Sequence, residues 1–151
     1  MLRAAERRVG TNGVSNMGVR ITGRSAGPNG MELTHEPSGT VIRTAPPVDN
    51  GGDGSSFSPT DLCAASLGAC ASTILRLYAA RTGIPLDGVT FELEKEMNGT
   101  PRRLGRLTVV YRLETTCADV DFDRLVHAGR TCPVRLSLGP EVVVDERYER
   151  A

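Results

Sequence analysis

Apolar and polar residues alternate along the first part of the chain with the period of a β-strand. Residues 17–24 alternate Val and Ile with Arg and Thr, which is typical of a half-buried strand. Turn-forming Gly, Pro and Asn residues then separate two further short segments, residues 31–36 and 40–44. The pattern predicts a three-stranded antiparallel meander, preceded by a polar and flexible lead at residues 1–13.

The period changes at residues 58–83, which predict one long helix with well-marked ends. Ser58 suits the N-cap, Pro59 suits the first helical position, and Asp61 completes a capping-box-like pattern. Gly83 fits the position that follows the last turn. The middle of this segment is apolar on nearly every side, so we expect the helix to be buried.

Alternation with a period of two returns after the long helix. Residues 89–94 and 106–113 predict an antiparallel hairpin with one buried face. A second helix is expected at residues 120–130, then a short helical segment after a Cys-Pro pair, and a last strand at residues 141–147. The element order indicates the α+β class, and no internal repeat or second domain is visible.

Composition narrows the classes of function. The 151 residues carry no formal net charge and their Arg residues are spread out, which argues against nucleic-acid binding. The N-terminus lacks the apolar run of a signal peptide, and the uncharged run of the long helix looks too short and too rich in Ala, Ser and Gly to span a bilayer. We therefore expect a single-domain cytoplasmic protein over residues 1–151, whose four cysteines are thiols by default.

The sequence lacks the common motifs for metals and nucleotides. CxxC, HExxH, a Walker loop and GxGxxG are all absent, so we expect no cofactor. The two histidines, His35 and His127, are too few for a zinc site and are interpreted as structural.

The cysteines carry the remaining candidate chemistry. Cys63 and Cys70 lie seven residues apart and so share one face of the predicted helix. Cys132 precedes a proline, as an N-cap would, and a helix N-terminus is one environment that lowers the pKa of a thiol. Cys70 lies in mid-helix and gains no such help, so a reactive Cys70 needs a nearby cation, for which Arg20 and Arg24 are the candidates. On composition alone, each thiol is more often core filling than a nucleophile.

Two motifs together resemble a known family. SPTDLCAASLGAC, followed after the second helix by TCPV, is similar to the OsmC/Ohr superfamily of thiol-dependent hydroperoxide peroxidases. The resemblance covers nearly the whole chain, including the order of its elements. It implies an intertwined α+β homodimer in which antiparallel sheets surround long, buried central helices and two sites lie at the subunit interface.

The resemblance also implies a role for each of two thiols. Cys70 matches the peroxidatic cysteine, whose thiolate attacks a hydroperoxide and becomes a sulfenic acid. Cys132 matches the resolving cysteine, which forms a disulfide with Cys70 that an external dithiol reduces. Cys63 and Cys117 match no family motif and are interpreted as structural.

The charged residues of the family site are matched less fully. In the organic-hydroperoxide branch an Arg near the first strand and a Glu at the helix start form a network with the reactive Cys. The Arg would be Arg24, with Arg20 as second choice. Thr60 stands ten residues before Cys70, and the acid is Asp61, one position later and one carbon shorter. Asp61 is therefore a candidate both for the site and for a simple helix cap.

The resemblance thus implies a homodimeric peroxidase of organic hydroperoxides, with an antioxidant role in the stress response. An alternative is a non-enzymatic member of the family that binds a small molecule or senses redox state. A third interpretation is a structural dimer whose Cys70 and Cys132 are inert core residues.

Overall fold

Three short strands lie in sequence order at the start of the described chain. The computed structural model describes residues 18–151, which divide into two compact units after Arg43. Strands β1 (Ile21–Ala26), β2 (Gly30–His35) and β3 (Thr40–Thr44) are neighbours in that order, and β1 pairs antiparallel with β2.

The predicted meander is confirmed, although its first strand begins and ends later than predicted. Met17 and the predicted lead at residues 1–13 lie outside the described residues.

The second unit is built around helix α1, Pro59–Thr82. Both halves of the capping box are present, since the Ser58 side chain accepts from the Asp61 backbone N–H and the Asp61 carboxylate accepts from the Ser58 N–H at 2.7 Å. Gly83 ends the helix at φ 72°, a left-handed conformation that favours glycine. The ends predicted from the sequence are therefore confirmed.

Burial along α1 follows one face rather than the whole circumference. The buried residues recur every three or four positions: Ala64, Leu67, Gly68, Ala71, Leu75 and Ala79. On the other side, Cys63 is exposed and Leu77 is 53% exposed. Within one chain the expected all-round burial is therefore wrong, because the elements of this unit cover only one side of the helix.

Helix α1 is also the one helix among the described residues that is long and apolar enough to cross a membrane by length and composition. The expectation that it does not span a bilayer concerned the uncharged run inside this helix, and it stays a prediction. Core helices of globular proteins satisfy the same criterion, and the buried face of α1 packs in the core of its own unit.

A second sheet lies beside α1. Strands β4 (Gly88–Asn98) and β5 (Arg103–Glu114) pair antiparallel, which confirms the predicted hairpin. Helices α2 (Asp119–Arg130) and α3 (Pro133–Ser137) then lead to β6 (Val143–Arg150).

Strand β6 pairs with β5 in parallel, and it extends beyond the predicted end at residue 147. A parallel neighbour requires a crossover connection, which α2 and α3 provide.

The core of this unit lies between α1 and the inner face of the second sheet. Every second residue of β5 from Leu107 to Leu113 is fully buried, and α1 contacts both β4 and β5. Two sheets and a long helix confirm the predicted α+β class. The middle of α1 therefore lies against this sheet, with Gly68 closest to Phe91 of β4.

Candidate active site

The two thiols that the sequence analysis singled out are side-chain neighbours in the second unit. Cys70 lies in the middle of α1 and is half-buried, whereas Cys132 is the N-cap of α3 and is completely buried. The Cys70 side chain is close enough to interact with the Cys132 thiol and to raise its pKa. Both residues are free thiols in this structure. The arrangement thus pairs one thiol that a small molecule can approach with one that it cannot.

The surroundings of Cys132 change the expected direction of its pKa. The Cys132 sulfur accepts from the Arg135 backbone N–H at 3.4 Å, and this contact lowers the pKa as predicted for an N-cap. Burial is the largest influence, however, and together with Cys70 and the Glu146 charge it raises the pKa of Cys132 overall. The predicted lowering is therefore wrong, because a five-residue helix offsets only part of the cost of burying a thiolate.

Aromatic rings form the wall next to the thiols. Tyr111 on β5 is fully buried, and its ring stacks on Tyr148 of β6 with centroids 4.7 Å apart and planes at 17°. Phe91 of β4 lies on the other neighbouring strand, 6.2 Å from the Tyr111 ring. Burial, and then the charges that Glu146, Cys132 and Cys70 can carry, raise the pKa of Tyr111, which belongs to the same core cluster as Cys132.

A carboxylate completes the polar part of this region. Glu146 of β6 has a side chain only 6% exposed, and its Oε2 lies 3.6 Å from Arg135 Nε. Tyr148 donates from its hydroxyl to Glu146 Oε1 at 3.3 Å. The negative charge of Glu146 is thus held beside Cys132 by partners on α3 and β6, which favours the neutral thiol at that position.

Asp61 and Cys70 are not brought together within one chain. They are nine positions apart on one straight helix, which corresponds to about 13 Å along its axis. The Asp61 carboxylate caps α1 and forms an ion pair with Lys95 Nζ at 2.6 Å. Burial alone would raise the pKa of Asp61, but the bonds from Lys95 and Ser58 outweigh it and lower the pKa.

Lys95 also bonds Thr60, the residue at the position where the organic-hydroperoxide branch has its Glu. Its Nζ donates to Thr60 Oγ1 at 2.9 Å, and the Lys95 side chain is only 16% exposed. The start of helix α1 is therefore tied to β4 through Lys95.

Arg24 lies in the first unit, where it has a partner on the next strand. Its guanidinium forms an ion pair with Glu32, which also binds Arg43 at 3.1 Å. The Arg24 contact, followed by Arg43, lowers the pKa of the Glu32 carboxyl against the opposing effect of burial. Arg20 is exposed and precedes β1. A role for either arginine toward Cys70 stays a prediction.

The remaining candidates lie apart from the thiol pair. His35 Nδ1 and Ser38 Oγ are 2.7 Å apart in the first unit, and His127 is exposed on α2. Cys63 is exposed and Cys117 is half-buried. In the chain from residue 18 onward, no group of three or more His, Cys, Asp or Glu side chains is placed to hold a metal ion.

Sequence reasoning missed Tyr111 and Glu146 as neighbours of the thiols. Alternation already placed Tyr111 on the buried face of β5, and a tyrosine there carries a hydroxyl that needs a partner. A tyrosine at a predicted buried position was therefore the sequence signal that could have identified Tyr111. Glu146 offered none, because its position depends on the parallel pairing of β6.

Fold and thiol pair together define a class of α+β proteins that hold two cysteines between a long helix and a sheet. The chain belongs to the OsmC-like protein family, whose model matches residues 52–147. No curated protein matches the chain.

Solved structures share this fold. A protein from Psychrobacter arcticus 273-4, described as an osmotic stress induced and detoxification response protein, is 30% identical with a TM-score of 0.81. The match covers 90% of this chain and 100% of that one. The organic hydroperoxide resistance protein OsmC of Legionella pneumophila is 22% identical with a TM-score of 0.69, and the match covers 90% of this chain and 99% of that one. OhrB of Bacillus subtilis, an organic hydroperoxide resistance protein, is 18% identical with a TM-score of 0.61. That match covers 88% of this chain and 98% of OhrB. The last two likenesses concern the fold alone.

Proposed function

We propose that the protein is a thiol-dependent peroxidase that reduces organic hydroperoxides. The observation that carries this proposal is the pairing of a half-buried Cys70 with a fully buried Cys132 beside it. Membership of the OsmC-like family and the names of two neighbours of the same fold support the choice of substrate.

The proposed reaction uses the two thiols in turn. The Cys70 thiolate attacks the terminal oxygen of the hydroperoxide, so that a sulfur–oxygen bond forms and the oxygen–oxygen bond breaks. The leaving alkoxide takes a proton from water and departs as an alcohol. Cys132 then attacks the Cys70 sulfenic acid, and a disulfide forms with loss of water. An external dithiol reduces the disulfide by two successive exchanges.

The difference in burial supports this division of roles. Cys70 is accessible enough to meet a peroxide, whereas Cys132 is buried and the raised pKa keeps it a thiol until Cys70 is oxidised. A reversed order would require a peroxide to reach a side chain with no exposed surface.

Substitution of the two cysteines tests the proposal. We expect Cys70→Ser to lose turnover of cumene hydroperoxide by at least about 100-fold, because the nucleophile is removed. Cys132→Ser should still oxidise at Cys70 but form no intramolecular disulfide. Peroxide consumption with a dithiol, and mass spectrometry of thiol labelling after one equivalent of peroxide, give the two readouts.

Cys117→Ser is the matched control, because Cys117 is a half-buried thiol that matches no family motif and lies outside α1 and its proposed interface. Turnover in this variant should equal that of the unmodified protein. Full turnover in Cys70→Ser would show that the assignment of the nucleophile is wrong.

We also propose that two copies assemble and complete the site. The outward side of α1 exposes Leu77 and Cys63, with Cys70 half-buried between them at heptad spacing. In the first unit, the exposed apolar residues include Val19, Ile21, Val41 and Ile42. A second copy that covers these surfaces would add new neighbours to Cys70, including Asp61 or Arg24 of the opposite chain.

A second candidate function is binding of a small molecule without turnover. A groove of about 480 Å³ between α1 and α2 is lined by residues that include Ile74, Tyr78 and His127. Ile74 is one turn from Cys70, so a bound molecule would lie close to the thiol. Peroxide-dependent disulfide formation without turnover by any dithiol would favour this function.

A further inference from the structure

Arg135 on helix α3 contacts Cys132 and the last strand at the same time. Its backbone N–H donates to the Cys132 sulfur at 3.4 Å, and its side-chain Nε lies 3.6 Å from Glu146 Oε2 on β6. The reaction proposed above uses neither Arg135 nor Glu146. One residue therefore connects a buried carboxylate to the sulfur that has to form the disulfide.

The Glu146 carboxylate lies where ionised side chains are uncommon. Its side chain is only 6% exposed, because it shares the inner face of β6 with Tyr148, two positions later. Among residues 18–151 its ion-pair partner is Arg135, and the Tyr148 hydroxyl donates to its other oxygen at 3.3 Å. Burying a carboxylate costs free energy that a paired cation offsets, so Glu146 favours the arrangement in which Arg135 stays beside it.

Helix α3 is too short to hold its own position. It has five residues, and Leu136 within it is 72% exposed. A helix of this length is not stable in isolation, so its place depends on its contacts with α1 and on the ion pair with β6. The direction of the Arg135 N–H, and with it the place of the Cys132 sulfur, follows from these contacts.

We propose that Arg135 and Glu146 are positioning residues for the resolving step, which hold the Cys132 sulfur in place for its attack on the Cys70 sulfenic acid. The proposal rests on the peroxidase function proposed above. In this step the sulfur–sulfur bond forms and the sulfur–oxygen bond of Cys70 breaks. The hydroxide that leaves takes the Cys132 proton and becomes water. A disulfide accepts only a narrow range of distances and dihedral angles, so the place of the Cys132 sulfur affects the rate of closure.

The same pair balances two charges next to the resolving thiol. Cys132 loses its proton as it attacks, which a nearby negative charge disfavours and a nearby positive charge favours. The other titratable or charged groups packed around this region are Cys70 on α1, Tyr111 on β5, Tyr148 on β6 and Arg130 of α2 over the Tyr148 ring. Substitution within the pair removes none of these groups, so its effect on closure can be measured separately.

The test separates oxidation of Cys70 from closure of the disulfide in the reduced, full-length protein. One equivalent of tert-butyl hydroperoxide starts the reaction, and mass spectrometry of samples quenched with dimedone and iodoacetamide measures sulfenic acid, disulfide and free thiol over time. For Arg135→Met we expect closure at pH 7 to slow about 10-fold or more while Cys70 oxidation stays within about twofold, because only closure uses the Cys132 sulfur. Arg135→Lys restores the cation and should close faster than Arg135→Met.

The pH profile of closure distinguishes this role from a general loss of structure. Arg135→Met leaves the Glu146 charge unpaired, so the pH at which closure reaches half its maximal rate should rise. Glu146→Gln breaks the same ion pair but removes the negative charge, so that pH should fall. Damage to the fold alone would move both profiles in the same direction or leave both in place.

Arg130→Met is the matched control. Arg130 is exposed at the end of α2, and its guanidinium lies 5.8 Å from the centre of the Tyr148 ring rather than beside Glu146. Both rates should stay within about twofold of the unmodified protein, since an exposed charge contributes little and the ion pair is retained.

Each other outcome has a definite meaning. Unchanged closure in Arg135→Met, an equal slowing of both steps, or pH profiles that move in the same direction overturn the proposal. If Arg135→Met does not fold, Glu146→Gln decides: a lower pH of half-maximal closure supports the proposal, and an unchanged one overturns it. If the unmodified protein forms no disulfide between Cys70 and Cys132, the peroxidase function itself fails. Rapid closure at one rate in every variant removes only the role of the pair.

Discussion

At the scale of single residues, two side chains of the same kind have different surroundings in this protein. Cys70 lies on a helix and is partly exposed to solvent, whereas Cys132 has no exposed surface. Burial and nearby negative groups act on Cys132, Tyr111 and Tyr148 in the same direction, since all three have raised pKa values. These three groups are therefore held in their protonated forms by one buried region.

This region predicts a loss of stability at alkaline pH. A group whose folded pKa is raised contributes stability that is complete below its unfolded pKa and is lost as pH rises through the folded pKa. For Tyr111 the unfolded value is 10.0, so the loss begins near that pH. Tyr111→Phe should equal the unmodified protein in unfolding free energy at pH 7. At pH 11 it should be more stable by up to about 1 kcal/mol, after discounting for solvent screening.

Urea denaturation at the two pH values measures this difference. Parallel pH profiles for the two proteins would contradict the prediction. Tyr148→Phe should lose stability at pH 7 because it removes the bond to Glu146, yet it should show the same relative gain on going to pH 11, since burial is again the largest cause of the raised pKa.

At the scale of elements, helix α1 and the second sheet meet through one close contact. A Cβ added to Gly68 would lie 2.3 Å from the Phe91 ring, much closer than real side chains approach. Phe91 in turn packs on Tyr111. The glycine thus lets the helix approach the aromatic rings of the sheet.

Gly68→Ala should therefore destabilise the protein. Alanine favours a helix by about 1 kcal/mol over glycine, but the clash forces the packed ring to move, at a cost of about 1–3 kcal/mol. We expect a lower unfolding free energy in urea and slower oxidation of Cys70. Phe91→Leu provides the matched test. The double variant should lose less unfolding free energy than the two single variants lose together, because the smaller side chain relieves the clash. Strict additivity would contradict the proposed contact.

Several elements could be predicted because their causes lie close together in the chain. The capping box of α1 involves Ser58 and Asp61, three residues apart, and the hairpin follows from alternation on two adjacent strands. The N-cap position of Cys132 is likewise local.

Other features depend on contacts between distant parts of the chain. The register that sets Tyr111 opposite Tyr148 joins strands separated by two helices, and no local pattern specifies it. For the same reason, the pKa of Cys132 could not be predicted from its N-cap position. The buried neighbour Glu146 arrives on β6, and complete burial is a property of the folded unit.

At the scale of the whole molecule, helix α1 leaves apolar side chains exposed on the side that its own chain does not cover. Leu77 is 53% exposed on the side of the helix that faces away from its sheet. An apolar residue at that position is stabilised when a second copy covers it. The proposed dimer accounts for a helix that is apolar all round and buried on only one side.

Leu77→Glu tests this assembly. A charged residue in the proposed interface should shift the protein toward monomer, which sedimentation velocity measures over a range of concentrations. Val48→Glu is the matched control, because Val48 is 74% exposed in a short 3-10 helix outside α1. A purely monomeric unmodified protein, or equal sedimentation of the two variants, would show that α1 is not the interface.

The parallel pairing of β6 has a consequence for the newly made chain. A ribosome releases the chain from its N-terminus, so Cys70 and Cys132 both emerge before Glu146 and Tyr148. Until β6 has emerged and crossed over to β5, Tyr111 lacks its stacked partner and Cys132 lacks its neighbouring carboxylate. During synthesis the two thiols are therefore ordinary cysteines. The surroundings that distinguish them form in a late step of folding.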